Sequence, residues 1–125
     1  MASQTILVVD DNALNRKLLR DLLTKRGYRV EQAEDGVQAV AVASRIMPDL
    51  VIMDLIMPNM DGFEATRAIK SKPELHHIPI LALSAMSGEQ DRARALEAGC
   101  VDFLRKPFGM EEILGALARL IRARA

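Results

Sequence analysis

What most limits the folds open to this chain is an alternation repeated five times: a short apolar run bounded by turn signals, then a stretch with helical periodicity. The runs are Ile6 to Val9, Tyr28 to Ala33, Leu50 to Met53, Ile78 to Leu83 and Val101 to Leu104. Ile6 to Val9 and Leu50 to Met53 have no polar interruption, so as strands they need cover on both faces. Strands of that kind run parallel and are joined by crossover helices. Tyr28 to Ala33 is less apolar and belongs at a sheet edge. The expectation is an α/β fold, a doubly wound (βα)5 three-layer sandwich around a five-stranded parallel sheet.

The helical stretches carry their own stops and starts. Leu14, Leu18 and Leu22 share one face of the first, with Leu19 and Leu23 beside them, and Gly27 closes it. Asp35 with Gln38, Asp61 with Glu64 and Ser87 with Gln90 have the spacing of capping boxes for helices two, three and four. Helix two ends near Met47 and Pro48, and Pro73 stops helix three. Ala93, Leu96 and Cys100 form an i, i+3, i+7 face in helix four before Gly99 ends it, and Met110, Ile113, Leu114, Leu117, Leu120 and Ile121 form the stripe of helix five.

Composition narrows the function classes. At 125 residues the chain is expected to be one domain spanning 1–125, with no linker, repeat or low-complexity tract. Its 17 Lys and Arg balance 17 Asp and Glu, so no global field favours nucleic acid or an anionic membrane. No apolar run approaches the roughly 20 residues of a membrane span, and nothing near Met1 resembles a signal segment, so a cytoplasmic protein is expected. A lone Cys100 between small apolar neighbours reads as core packing. His76 and His77 read as surface loop, and Met53, Met57, Met60 and Met86 as gap-filling side chains. Arg16, Lys17 and Arg20 form either part of a docking surface or a solvated face of helix one.

In an open parallel sheet, ligands bind outside the carboxyl ends of the strands. Strand one runs into Asp10 and Asp11, strand three into Asp54, strand four into Ser84, and strand five is followed by Lys106. Any one Asp after a strand is an ordinary turn former; the joint placement at one edge is informative. Three carboxylates brought together repel unless a cation intervenes, and all-oxygen ligands favour Mg²⁺. Lys106 would add a fixed positive charge for phosphoryl oxygens, and Ser84 a hydroxyl donor.

Together these residues resemble the receiver domain of bacterial two-component response regulators. The stretches that carry the likeness are VVDDN at Val8 to Asn12, VIMDLIMPNMDG at Val51 to Gly62, LSA at Leu83 to Ala85 and DFLRKPF at Asp102 to Phe108. The resemblance implies the flavodoxin-like strand order 2-1-3-4-5. It implies that Asp54 takes a phosphoryl group from a phosphohistidine on a histidine kinase or histidine phosphotransfer protein. Mg²⁺ would be held by Asp10, Asp11, Asp54 and the backbone carbonyl of Ile56. It also implies a cis peptide between Lys106 and Pro107, and a switch in which Ser84 moves toward the phosphate and Phe103 turns inward. That would remodel the face of helix four, strand five and helix five for a downstream protein target.

Two departures bear on the switch. Phe103 stands where many members carry Tyr, so it would act through packing alone, and Ser84 replaces the commoner Thr while keeping the donor. A competing reading, a phosphatase of the haloacid dehalogenase type, needs a second Asp two residues past the nucleophile; Ile56 occupies that position and cannot move a proton. The expectation is a phosphoacceptor that assists its own phosphorylation, not a turnover enzyme. The apolar Met86 two residues past Ser84 further implies slow self-dephosphorylation. A third reading, an interaction module that keeps the fold without the chemistry, sits poorly with a chain that retains every acidic residue and the lysine. With Ala125 directly after helix five, the expectation is either a single-domain regulator or a receiver belonging to a hybrid kinase or larger regulator.

Overall fold

All five apolar runs join one sheet. The computed structural model describes residues 4–57, 60–85, 89–106 and 109–124. In chain order the elements are β1 (Thr5–Val9), α1 (Ala13–Lys25), β2 (Arg29–Ala33), α2 (Gly36–Ile46), β3 (Leu50–Asp54), α3 (Gly62–Ser71), β4 (Ile80–Ser84), α4 (Glu89–Ala98), β5 (Asp102–Arg105) and α5 (Met110–Arg124). The strands lie in the order β2-β1-β3-β4-β5, every pairing parallel. This is the flavodoxin-like fold, with β2 at the edge as its mixed composition required.

Alternation along the strands divides the core into two layers. Leu7, Val9, Val51, Met53, Ile80 and Ala82 face one side with Ala39, Ala43, Phe63, Ile69 and Ala95, which come from α2, α3 and α4. Ile6, Val8, Leu50, Ile52, Leu81 and Leu83 face the other with Leu19, Leu23, Ile113 and Leu117, which come from α1 and α5. Each large aliphatic side chain so buried contributes about 1.5–3 kcal/mol, more than the ~1 kcal/mol span of strand propensity. Burial on both faces therefore decides that these five-residue runs are strands.

Side chains close the helix starts. Asn12 accepts from the Asn15 N–H at 3.0 Å, Asp35 from Gln38 at 2.9 Å and Asp61 from Glu64 at 2.9 Å. The expected Ser87 cap of α4 lies outside the described residues, as do Met86 and the Lys106–Pro107 peptide bond. α2 ends on Met47 in the left-handed region (φ 50°), immediately before Pro48.

The structure corrects three local expectations. β4 begins at Ile80 and not at Ile78, because Ile78 closes a turn on the Leu75 carbonyl and gives its own carbonyl to the Lys70 ammonium at 2.6 Å. In α1 the buried residues are Leu19 and Leu23, whereas Leu14 and Leu18 are 62% and 58% exposed. In α4 the inward residues are Ala95 and Ala98, while Ala93 and Leu96 face outward and Cys100, past the helix end, is buried. Small residues sit where α4 lies close to its neighbours, a constraint that apolar periodicity does not reveal.

Candidate functional site

From β1 the chain steps out to β2 and then returns across β1 to β3, so the crevice at the carboxyl edge opens between β1 and β3. Asp10 follows the last residue of β1 and Asp54 is the last of β3. Ser84 ends β4, one step beyond the Leu83 that pairs with Asp54. The Lys106 N–H donates to the Ser84 carbonyl at 2.8 Å, carrying the β4–β5 pairing one residue further and setting Lys106 above the sheet.

Gly62 shapes the return from β3 into α3. A Cβ there would collide with the Asp54 carbonyl oxygen and the Leu55 Cα, so only glycine lets α3 start so close to the strand end. The Gly62 N–H donates to the Leu55 carbonyl at 3.1 Å, closing the loop on itself, and the Gly36 N–H at the start of α2 donates to the Met60 carbonyl at 3.1 Å. The backbone that presents Asp54 is thereby tied from two sides.

Asp10 and Asp54 are buried and Asp11 is exposed, yet their carboxylate oxygens all lie within 4.8 Å of one another. The Lys106 Nζ stands 3.4 Å from Asp10 Oδ2 and 3.6 Å from Asp54 Oδ2. The Asn12 N–H donates to Asp10 Oδ1 at 2.9 Å, Asn15 Nδ2 to Asp10 Oδ2 at 3.4 Å, and the Ile56 N–H to Asp54 Oδ1 at 3.3 Å. On the protein's own charges the Asp54 pKa is pushed up to about 6, chiefly by burial, then by the Asp10 charge. Lys106 and the Ile56 N–H oppose the rise, and Asp11 adds slightly to it. One ammonium does not offset burial and two neighbouring carboxylates. The donor set is hard oxygen from three converging side chains, which fits Mg²⁺, and a divalent charge placed among them would reverse the sign of the repulsion.

Asp10, Asp11, Asp54 and Lys106, singled out in the sequence, thus meet in one crevice. Phe103 is 8% exposed and packs in the same buried cluster as Met53 and Ala82. Ile56 is 55% exposed and meets Asp54 through its N–H. Beside the crevice runs an open groove of about 720 Å³ between α1 and α5, lined by Asp10, Asn15, Leu18, Leu19, Leu22, Ala85, Lys106 and Met110. Exposed Leu14, Leu18 and Met110 belong to the same two helices. Among the described residues no helix is long and apolar enough to cross a membrane.

Sequence reading missed Asn12 and Asn15 as partners of Asp10, although their cap spacing was visible. It also misjudged Arg16, whose side chain is only 13% exposed and whose Nη1 donates to the Asp10 carbonyl at 2.7 Å. Arg16 is neither a solvated residue nor an exposed docking one. Lys17 and Arg20 do face solvent, each beside Asp21.

Comparison with known proteins agrees with this geometry. The family model for the response regulator receiver domain matches residues 6–118. Response regulator PleD of Caulobacter vibrioides is 46% identical over 105 residues, covering 84% of this chain and 23% of the relative. Response regulator MprA of Mycobacterium leprae is 41% identical over 117 residues, covering 94% of this chain and 50% of the relative, so the chain spans half or less of these relatives. Among solved structures, chemotaxis protein CheY4 of Vibrio cholerae superposes with a TM-score of 0.91 at 34% identity, covering 95% of this chain and 99% of that one. The receiver domain of a Pseudomonas aeruginosa sensor histidine kinase, solved with a magnesium ion in its active site cleft, gives 0.90 at 40% identity, with 97% and 99% covered. A parallel sheet in the order 2-1-3-4-5, an acidic trio at its switch point and a family match over most of the chain lead to one conclusion: this chain belongs to the response regulator receiver domains of two-component signalling.

Proposed function

We propose that Asp54 accepts a phosphoryl group from a phosphohistidine on a histidine kinase or histidine phosphotransfer protein, working in the cytoplasm. The observation that carries the reading is a buried carboxylate within 4.8 Å of two others and 3.6 Å from an ammonium. In this reading an Asp54 carboxylate oxygen attacks phosphorus, the P–O bond forms as the donor's P–N bond breaks, and the leaving imidazole nitrogen takes a proton from solvent. Lys106 meets the charge on the phosphoryl oxygens, and the Ser84 hydroxyl donates to another of them. Asp10, Asp11, Asp54 and the Ile56 carbonyl would hold Mg²⁺, which would supply positive charge to offset the carboxylates and the incoming phosphoryl oxygens. The donor seats on the groove between α1 and α5, because it must reach the crevice mouth and that groove shares Asp10 and Lys106 with it.

Phosphate on Asp54 then shifts the population of the α4–β5–α5 face through Ser84 and Phe103, changing its affinity for a protein target. With an apolar residue at position 56, no side chain there activates water, and the acyl phosphate is long-lived. Residues 1–125 act as a single receiver domain in this scheme. The test is intact mass after incubation with Mg²⁺ and a small phosphoramidate donor. One added phosphoryl group is expected on the wild type, persisting well beyond seconds, and none on Asp54→Ala. Equal labelling of the variant overturns the assignment.

A further inference from the structure

We propose that Arg16 is a positioning residue of the acidic crevice, fixing the peptide plane between Asp10 and Asp11 so that their carboxylates converge with Asp54. The inference rests on Asp10 and Asp11 holding a divalent cation.

The β1–β2 ladder ends at the Val9–Ala33 pair, and beyond it the Asp10 N–H still reaches the Ala33 carbonyl at 3.2 Å. The Asp10 carbonyl lies past the last ladder pair, and it is the oxygen of the peptide unit joining the two ligands. Turning that unit would swing Asp11 relative to Asp10. Arg16 holds it: Nη1 donates to the Asp10 carbonyl at 2.7 Å.

The position in α1 explains the reach. The Arg16 N–H closes the first helical turn on the Asn12 carbonyl at 3.1 Å, and helical side chains lean toward the N-terminus, here over the turn that carries Asp10 and Asp11. Two groups at the end of β2 brace the guanidinium: Gln32 in the strand accepts from Nε at 3.3 Å, and the carboxylate of Glu34, one residue past it, stands 3.7 Å from Nη2. A planar fork spreads its donors over three nitrogens in fixed directions and so reaches three separated acceptors, whereas the donors of a lysine ammonium all radiate from one nitrogen. Burial separates this contact from an ordinary surface ion pair, since the side chain is 13% exposed. Outer partners that orient metal ligands typically change affinity 10- to 100-fold when removed.

The experiment titrates Mg²⁺ into the whole chain by calorimetry and follows the Asp11 amide by NMR. Arg16→Met is expected to weaken Mg²⁺ binding about ten-fold and to shift the Asp11 amide signal before any metal is added. Arg16→Lys keeps the charge and is expected to remain several-fold weak. The pair Gln32→Ala with Glu34→Gln, which leaves Arg16 but removes its braces, is expected to lose affinity in the same direction, so the test stands even if Arg16→Met fails to fold. Wild-type affinity in Arg16→Met, or full recovery in Arg16→Lys, overturns the proposal. A wild type that itself ignores Mg²⁺ overturns the metal reading beneath it, a result distinct from wild-type binding that the variants match.

Discussion

Replacing Asp54 with Asn removes a charge that the fold holds at a cost. The Asp54 pKa rises from 3.8 to about 6, first through burial and then through Asp10. Between those values the native domain binds more protons than the unfolded chain, so stability falls as pH rises through the window, and the full cost is present above about pH 6. At 1.36 kcal/mol per pH unit, a rise of about two units corresponds to about 3 kcal/mol at neutral pH. The attractions of Lys106 and the Ile56 N–H are already included in that net shift. Asparagine keeps the volume and an acceptor for the Ile56 N–H. In a chelator at pH 7.5, Asp54→Asn should therefore melt about 10 °C above the wild type, at about 3–5 °C per kcal/mol for a chain of this size. Near pH 3.5 the wild-type carboxyl is mostly protonated in both states and the two curves should nearly meet. Mg²⁺ should raise the wild-type melting temperature by mass action and move the variant less. Differential scanning calorimetry across pH 3.5–8 is the assay. A variant no more stable than wild type at pH 7.5, or a difference that does not depend on pH, refutes the reasoning.

Lys106→Met should push the Asp54 pKa higher still, because the ammonium 3.6 Å away is the larger of the two influences that restrain its rise; carboxyl-carbon NMR titration reads the shift, and an unchanged midpoint counts against the coupling. The same variant should accept phosphate about 100-fold more slowly or worse, as expected when a fixed charge aimed at developing phosphoryl charge is lost. Gly62→Ala should destabilise the domain by about 1–3 kcal/mol through the clash with the Asp54 carbonyl and should also impair phosphorylation, since α3 must draw away from β3; denaturant melts without a loss would show that the loop yields freely.

Much of the fold was legible because parallel strands covered on both sides need uninterrupted apolar runs, and this chain has them in Ile6 to Val9 and Leu50 to Met53. The site was legible for a related reason: each strand that ends at the ligand-binding edge hands directly to its polar residue, so Asp10, Asp54, Ser84 and Lys106 could be placed by counting. Periodicity on a helix, in contrast, identifies a stripe without saying what covers it. Leu14 and Leu18 continue the stripe of α1 yet stay exposed, and Leu18 lines the groove.

Only the tertiary structure decided three things, because each depends on distances between segments far apart in the chain. The raised Asp54 pKa requires burial together with Asp10 as a near neighbour across the sheet. Lys106 touches Asp10 across 96 positions of sequence, a contact no local pattern encodes. Arg16 looked like any other basic residue on an amphipathic helix until the turn beneath it placed the Asp10 carbonyl 2.7 Å from its guanidinium. Residue type and spacing determine which side chains reach the sheet edge, whereas charge state, convergence and the partners that brace them follow from packing, which sets distance and dielectric together.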